Sequence, residues 1–166
     1  MFYNISTKTK KDFTHLIYTY THNLNPKFIN VLLSDQRNNI LIYNIDGILQ
    51  KENNIGFIIY RQSILEHEHR FYIFLIGVHP DFTGYGYGSL LLNEFIDLIK
   101  NENKIIKKNK NYSYCKNKKL IVHSTQENIL FYQRFGFKKS LNAYDYRMIY
   151  SYEEFNKKDI IMDYDL

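Results

Sequence analysis

The sequence predicts a mixed α/β fold in a single domain spanning residues 1–166, and three observations carry that prediction. Two near-continuous apolar runs of strand length, Phe71 to His79 (FYIFLIGVH) and Lys119 to His123 (KLIVH), read as buried strands. Between them lie a glycine-rich turn and a stretch in which Leu91, Leu92, Phe95, Leu98 and Ile99 recur at helical spacing, which makes a strand, helix, strand crossover. Finally, 166 residues that are 45% hydrophobic and 17% aromatic suffice for one core and argue against disorder.

Taken in order, alternation near Phe2 to Ile5 predicts a short strand. Lys11 to Tyr20 and Pro26 to Leu33 read as helices, the second with Asn25 as cap and Pro26 at its first position. Asn39 to Asp46 and Ile55 to Arg61 are β-branched and aromatic runs, and the polar stretch between them holds Asp46-Gly47 and Asn53-Asn54, the pattern of two antiparallel strands. Leu65 to Arg70 reads as a charged, solvated loop. Its Glu66, His67, Glu68 and His69 point to alternate sides rather than converging on a metal. Pro80 ends the central strand and a helix follows from Ser89 to Asn101. After Lys119 to His123, Ser124 and Glu127 have capping-box spacing at the head of a helix to Phe135, which Gly136 closes. Phe137 onward, Tyr144 to Tyr150 and Ile160 to Leu166 complete the reading as strands, with Tyr144 and Tyr146 as edge-strand aromatics.

Charge and cysteine content narrow the context. A net charge of +5 favours an anionic partner. Its densest source is a lysine/asparagine-rich insertion at about 103–118, expected at the sheet edge opposite the ligand-binding ends of the strands and read as solvated low complexity. Nucleic acid has no other support. The bias toward Asn, Ile, Lys and Tyr is one that AT-rich codons alone produce, which discounts the charge further. The single Cys115 excludes a disulfide framework and a multi-cysteine zinc site and suits a reducing compartment, so a cytoplasmic protein is expected. No apolar run approaches the roughly 20 residues of a membrane helix, and the first residues lack a signal-like segment, so no membrane partner is expected.

Chemistry concentrates in two segments. In VHPDFTGYGYGSLLL, glycines at 84, 86 and 88 let backbone approach a ligand, and the first amides of the helix point outward at the positive end of its dipole, an arrangement suited to phosphates. No Lys-Ser/Thr follows, so it is no Walker A loop. The second segment is HSTQENILFYQRFGF, ending Phe131-Tyr132-Gln133-Arg134-Phe135-Gly136-Phe137.

Together, in this order, the segments resemble the two signatures of the GNAT superfamily of acetyl-CoA-dependent N-acetyltransferases. The likeness covers roughly residues 55 to 137, and Thr83 stands where the family has Arg or Gln. It implies a mostly antiparallel sheet with a splayed parallel central pair, the acyl-CoA N-acyltransferase fold. It also implies acetyl-CoA as donor, with no metal, and an amine acceptor. On this resemblance, backbone of Thr83, Gly84, Tyr85, Gly86, Tyr87, Gly88 and Ser89 holds the pyrophosphate, while strand amides at Ile76 and Val78 hold the pantetheine arm and polarise the thioester carbonyl. Tyr132 matches the family tyrosine that protonates the departing thiolate; without the motif it reads as a core aromatic.

The family's strand glutamate is replaced by Tyr72, and Tyr72 with His123 resembles the water-relaying pair of some N-terminal acetyltransferases. His123 also fits the role of a hydrogen-bonded core histidine. The stretch Glu127-Asn128-Ile129-x-Phe131-Tyr132 is similar to glucosamine-6-phosphate acetyltransferases, which adds Asn128 to the cofactor set and favours an amino sugar phosphate or other small amine. A protein or peptide acetyltransferase acting on an amino terminus or lysine is the alternative, and a non-catalytic acyl-CoA-binding module is another. Terminal strands of the superfamily often pair across a homodimer.

Overall fold

The computed structural model describes residues 2–4, 10–21, 24–44, 54–65, 68–101, 117–150 and 160–166. The strands, hydrogen-bonded in the order β1-β2-β3-β4-β5-β7-β6, form a mixed sheet. They are β1 (Phe2–Asn4), β2 (Asn38–Asn44), β3 (Asn54–Leu65), β4 (Glu68–Val78), β5 (Asn117–Ser124), β6 (Lys138–Lys139) and β7 (Ile160–Asp165). The helices are α1 (Lys10–Tyr20), α2 (Pro26–Ser34), α3 (Tyr87–Asn101), α4 (Ile129–Gln133) and α5 (Ala143–Tyr150). The chain divides into two compact units, Met1–Tyr60 with Leu75–Asn103, and Arg61–Phe74 with Lys104–Leu166.

In the first unit β1 runs antiparallel to β2, from Phe2↔Tyr43 to Asn4↔Leu41. The α2 helix starts where the sequence places it: Asn25 accepts from the Lys27 amide at 3.0 Å and Pro26, with no N–H to satisfy, takes the first helical position. Phe28, Ile29, Leu32 and Leu33 form its buried face. The Tyr18 hydroxyl donates to Asn30 Oδ1 at 2.6 Å and ties α1 to α2. On α3 the buried residues are Leu91, Leu92, Phe95, Ile96 and Ile99, one stripe of a 3.6-residue period. Burial of each such side chain contributes about 1.5–3 kcal/mol.

In the second unit β4 and β5 are the parallel pair, in register from Glu68↔Asn117 to Ile73↔Val122. Antiparallel pairing joins β5 to β7 and β7 to β6. Strand alternation sends Phe71, Ile73, Leu120 and Val122 to one side and Arg70, Tyr72, Ile121 and His123 to the other. All of these but His123 are buried.

Three sequence expectations are corrected. Tyr144 to Tyr150 is helix α5, not strand: Tyr146 and Tyr150, one turn apart, are both buried, whereas a strand would also have sent Tyr144 and Met148 inward, and these are exposed. The Ser124 capping box does not form. Ser124 stays in β5 opposite Ile160, and a 3-10 turn (Gln126–Asn128) preceded by Thr125 leads into the short α4. Glu68 and His69 belong to β4 rather than a solvated loop, and His69 is buried beside Phe71 at 4.2 Å. Burial, then Lys118, pushes the His69 pKa down to about 4. Residues 102–116, with Cys115 and most of the lysine-rich insertion, lie outside the described residues, as do Asp46, Gly47, Asn53, Glu66 and His67. No described helix is long and apolar enough to cross a membrane.

Candidate active site

The phosphate-cradle residues sit together in the first unit, at the end of β4. The His79 amide donates to the Ile55 carbonyl at 2.7 Å, and its Nδ1 accepts from the Asp81 amide at 3.1 Å, capping the 3-10 turn Pro80–Phe82. The Thr83 amide closes that turn on the Pro80 carbonyl. The chain then passes Gly84 (φ +87°) and Gly86 (φ +85°), a left-handed conformation that a side chain resists, and no atom lies within 4 Å of where either Cβ would stand. The first 5→1 bond of α3 runs from Leu90 to Gly86 at 3.1 Å, so the amides of Tyr87, Gly88 and Ser89 precede any intrahelical acceptor. Two bare glycines beside outward-facing amides fit a diphosphate without any cationic side chain. Tyr87 packs edge-on against Phe82 at 5.4 Å across the turn, while Tyr85 is exposed. Ile76 and Val78 are partly exposed at the end of β4.

In the second unit Tyr72 and His123 lie on the same face of the parallel pair, their rings 5.6 Å apart at 71°. The sequence alone could not reveal the setting of this pair. Tyr150 of α5 stacks on Tyr72 at 4.2 Å and 18° from parallel, and its hydroxyl is hydrogen-bonded to Ser63 Oγ of β3. Phe74 leans on Tyr72 from along the strand at 4.8 Å, and the Arg61 guanidinium lies 5.2 Å over the Phe74 ring. One turn earlier on α5, Tyr146 lies under the Arg70 guanidinium at 5.2 Å, and Arg70 pairs with Glu68. The tyrosine spacing 146/150 was the available signal, masked by an equally good alternation at 144, 146, 148 and 150.

Three described carboxylates of this unit are engaged. Glu68 and Asp165 each meet Lys119 at 3.3 Å, and Asp163 accepts from Ser140 Oγ at 2.5 Å. Burial, with the nearby Arg147 charge adding to it, pushes the His123 pKa down to about 4, so the imidazole is neutral near pH 7. Burial raises the Tyr150 phenol, partly offset by its bond to Ser63 and by Arg70 and Arg61.

Tyr132 is buried on α4, its ring 5.0 Å from Phe131 and 5.6 Å from Phe137. Its carbonyl accepts from the Phe135 and Phe137 amides, and Gly136, at φ +90°, makes the reversal that closes this turn. Burial pushes the phenol up to about 12, so Tyr132 keeps its proton at any ordinary pH. Asn128 ends the 3-10 turn before α4 and is exposed, its side chain capping nothing. Among the described residues no group of three His, Cys, Asp or Glu could hold a metal ion.

A family model described as an acetyltransferase (GNAT) domain matches residues 36–139, more than half of the chain. No curated protein matches it in sequence. Solved structures do match in fold. GCN5 of Tetrahymena superposes with a TM-score of 0.64 at 16% identity, covering 99% of this chain and 95% of that one. Naa50 of Arabidopsis thaliana, in complex with the bisubstrate analogue CoA-Ac-MVNAL, gives 0.59 at 19%, covering 100% and 98%. The ribosomal-protein-S18-alanine N-acetyltransferase of Escherichia coli gives 0.54 at 21%, covering 99% and 92%. At these identities the likeness is one of fold.

Proposed function

Because the chain belongs to the GNAT acetyltransferase family, whose donor is acetyl-CoA, we propose that it acetylates an amine of low pKa by direct attack, a peptide α-amine first among them. The carrying observation is the Tyr72–His123 pair on one sheet face. Acetyl-CoA supplies the thioester carbonyl. Backbone amides from Gly84 to Ser89 hold its pyrophosphate, the Thr83 amide being taken by the Pro80 carbonyl, with Asn128 as a further polar contact, and the backbone at Ile76 and Val78 holds the pantetheine arm. One oxyanion-type amide contributes about 3 kcal/mol to such a step. Tyr132 gives its proton to the departing thiolate, a transfer worth about 10²- to 10⁴-fold in rate. Tyr72 relays to His123 the proton that the attacking amine sheds, giving up its own phenolic proton as it accepts the incoming one, and the neutral imidazole is the net acceptor.

Basicity supports an acceptor of low pKa. His123 is a ready but weak base, since its pKa is held near 4. An α-amine near pKa 8 is about one-tenth neutral at pH 7, whereas a lysine amine near 10.4 is neutral in only about one molecule in 2,500. A site that does not have to strip a strongly basic ammonium suits the first. The ligand of one fold relative, CoA-Ac-MVNAL, and the substrate of another, the alanine of ribosomal protein S18, support the same reading. An amino sugar phosphate is the second reading, favoured by the sequence Asn128-Ile129-x-Phe131-Tyr132.

The test is acceptor-dependent release of free thiol from acetyl-CoA over pools of peptides, amino sugars and polyamines, with mass detection of products. Peptide products blocked at the amino terminus are expected, and Tyr132→Phe is expected to lose kcat about 100-fold or more with little change in the acetyl-CoA KM. Coenzyme A binding without acceptor-dependent turnover, or an unimpaired Tyr132→Phe, would overturn the reading.

A further inference from the structure

We propose that Tyr150 and Ser63 are positioning residues that hold the Tyr72 phenol against His123, a role resting on the assignment of that pair as proton acceptor. Tyr72 is completely buried, and among the described residues Tyr150 lies across the flat face of its ring, Phe74 at 56° and His123 at 71°. Of these only Tyr150 stacks on it, so Tyr150 sets the plane in which the Tyr72 hydroxyl lies. Tyr150 is itself fixed at its far end. It is the last residue of α5, where a helix frays, yet it is 1% exposed and its hydroxyl is bonded to Ser63 across 87 residues of sequence.

Ser63 stands in the outer part of β3, between exposed Gln62 and Ile64, and partly reaches the surface. Strand alternation sends it the same way as Arg61, which lies over Phe74. The last turn of α5 is thus pinned to β3 by Ser63, while the turn before it is pinned to β4 by Tyr146 under Arg70. A helix held at both turns presents the Tyr150 ring in one place. Misplacing a proton-transfer group by about 1 Å can cost about 100-fold in rate, so such a clamp acts on kcat.

The test uses the full chain with acetyl-CoA and its best peptide acceptor. Tyr150→Leu removes the stack, and its kcat should fall about 10-fold or more while the KM for acetyl-CoA stays within about twofold. Tyr150→Phe and Ser63→Ala break the same bond, so each should lower kcat a few-fold and the double variant no further. Adding Tyr72→Phe to Tyr150→Leu should cost much less than Tyr72→Phe costs alone, a coupling that independent packing losses do not produce.

Multiplicative losses, or full kcat in Tyr150→Leu alongside a crippled Tyr72→Phe, would overturn the clamp and leave the pair standing. Full kcat in both Tyr72→Phe and His123→Ala would remove the pair and the clamp with it. If Tyr150→Leu lacks a cooperative melt, the milder cycle of Tyr150→Phe, Ser63→Ala and Tyr72→Phe decides by the same criterion.

Discussion

Replacing Gly86 by alanine separates the conformational demand of the glycine turn from its demand for open space. Gly86 has φ +85°, where an alanine is strained by roughly 1–2 kcal/mol, and its Cβ would meet no atom within 4 Å, so no packing change adds to the strain. In a domain of this size roughly 2–4 °C of Tm is lost per kcal/mol, so a fall of about 2–8 °C is expected. The methyl group also occupies the space where a diphosphate would approach the backbone, and a tenfold weaker Kd for coenzyme A corresponds to about 1.4 kcal/mol of lost contact.

Gly136→Ala is the control. Its φ is +90° and its Cβ would lie 3.0 Å from Tyr164 Cε2, so it bears the same strain plus crowding. It should therefore melt lower than Gly86→Ala while binding coenzyme A as the parent does. Thermal melts and calorimetric titration with coenzyme A read the two effects apart. If both variants melt with the parent, the conformational argument is wrong; if both weaken coenzyme A equally, the cradle is wrong.

Two further outcomes concern His69 and His123. Arg147→Gln removes the lesser of the two causes that depress His123, so the acid limb of kcat/KM should move up from about pH 4 while staying short of 6.5, because burial persists. A limb that does not move would show that His123 does not govern it. Stability should also fall in mild acid. His69 and His123 have folded pKa values of about 4 against about 6.5 unfolded, so between these values the unfolded chain binds more protons. Their contribution is complete above about pH 6.5 and is lost as pH falls to about 4. Urea midpoints across that window check this, and His123→Gln should flatten the slope.

What could be read from the sequence was whatever a single local pattern decides. The apolar run of β4, the stripe on α3, the Asn25-Pro26 start of α2 and the glycine turn each have one physical solution, and each formed. Ambiguity arose where two periods fit the same residues. Tyr144, Tyr146, Met148 and Tyr150 alternate as in a strand, but 146 and 150 also share one side of a helix, and the Tyr72 ring and the Arg70 guanidinium packed against them select the helix. Capping chemistry failed by one position, because Ser124 was still occupied as the last residue of β5. At the site, Tyr72 and His123 could be paired from the order of two strands. Ser63 and Tyr150 could not, since nothing local ties residues 87 positions apart.

The two-residue β6 ends the strand order, and its residues are Lys138 and Lys139, both exposed. A sheet margin normally invites another chain to add a strand, since its backbone donors and acceptors stand ready. Here a second copy docking the same margin would bring four ammonium groups onto one short seam, a like-charge arrangement that opposes pairing. Like charge at this margin therefore opposes the addition of a second β6 there.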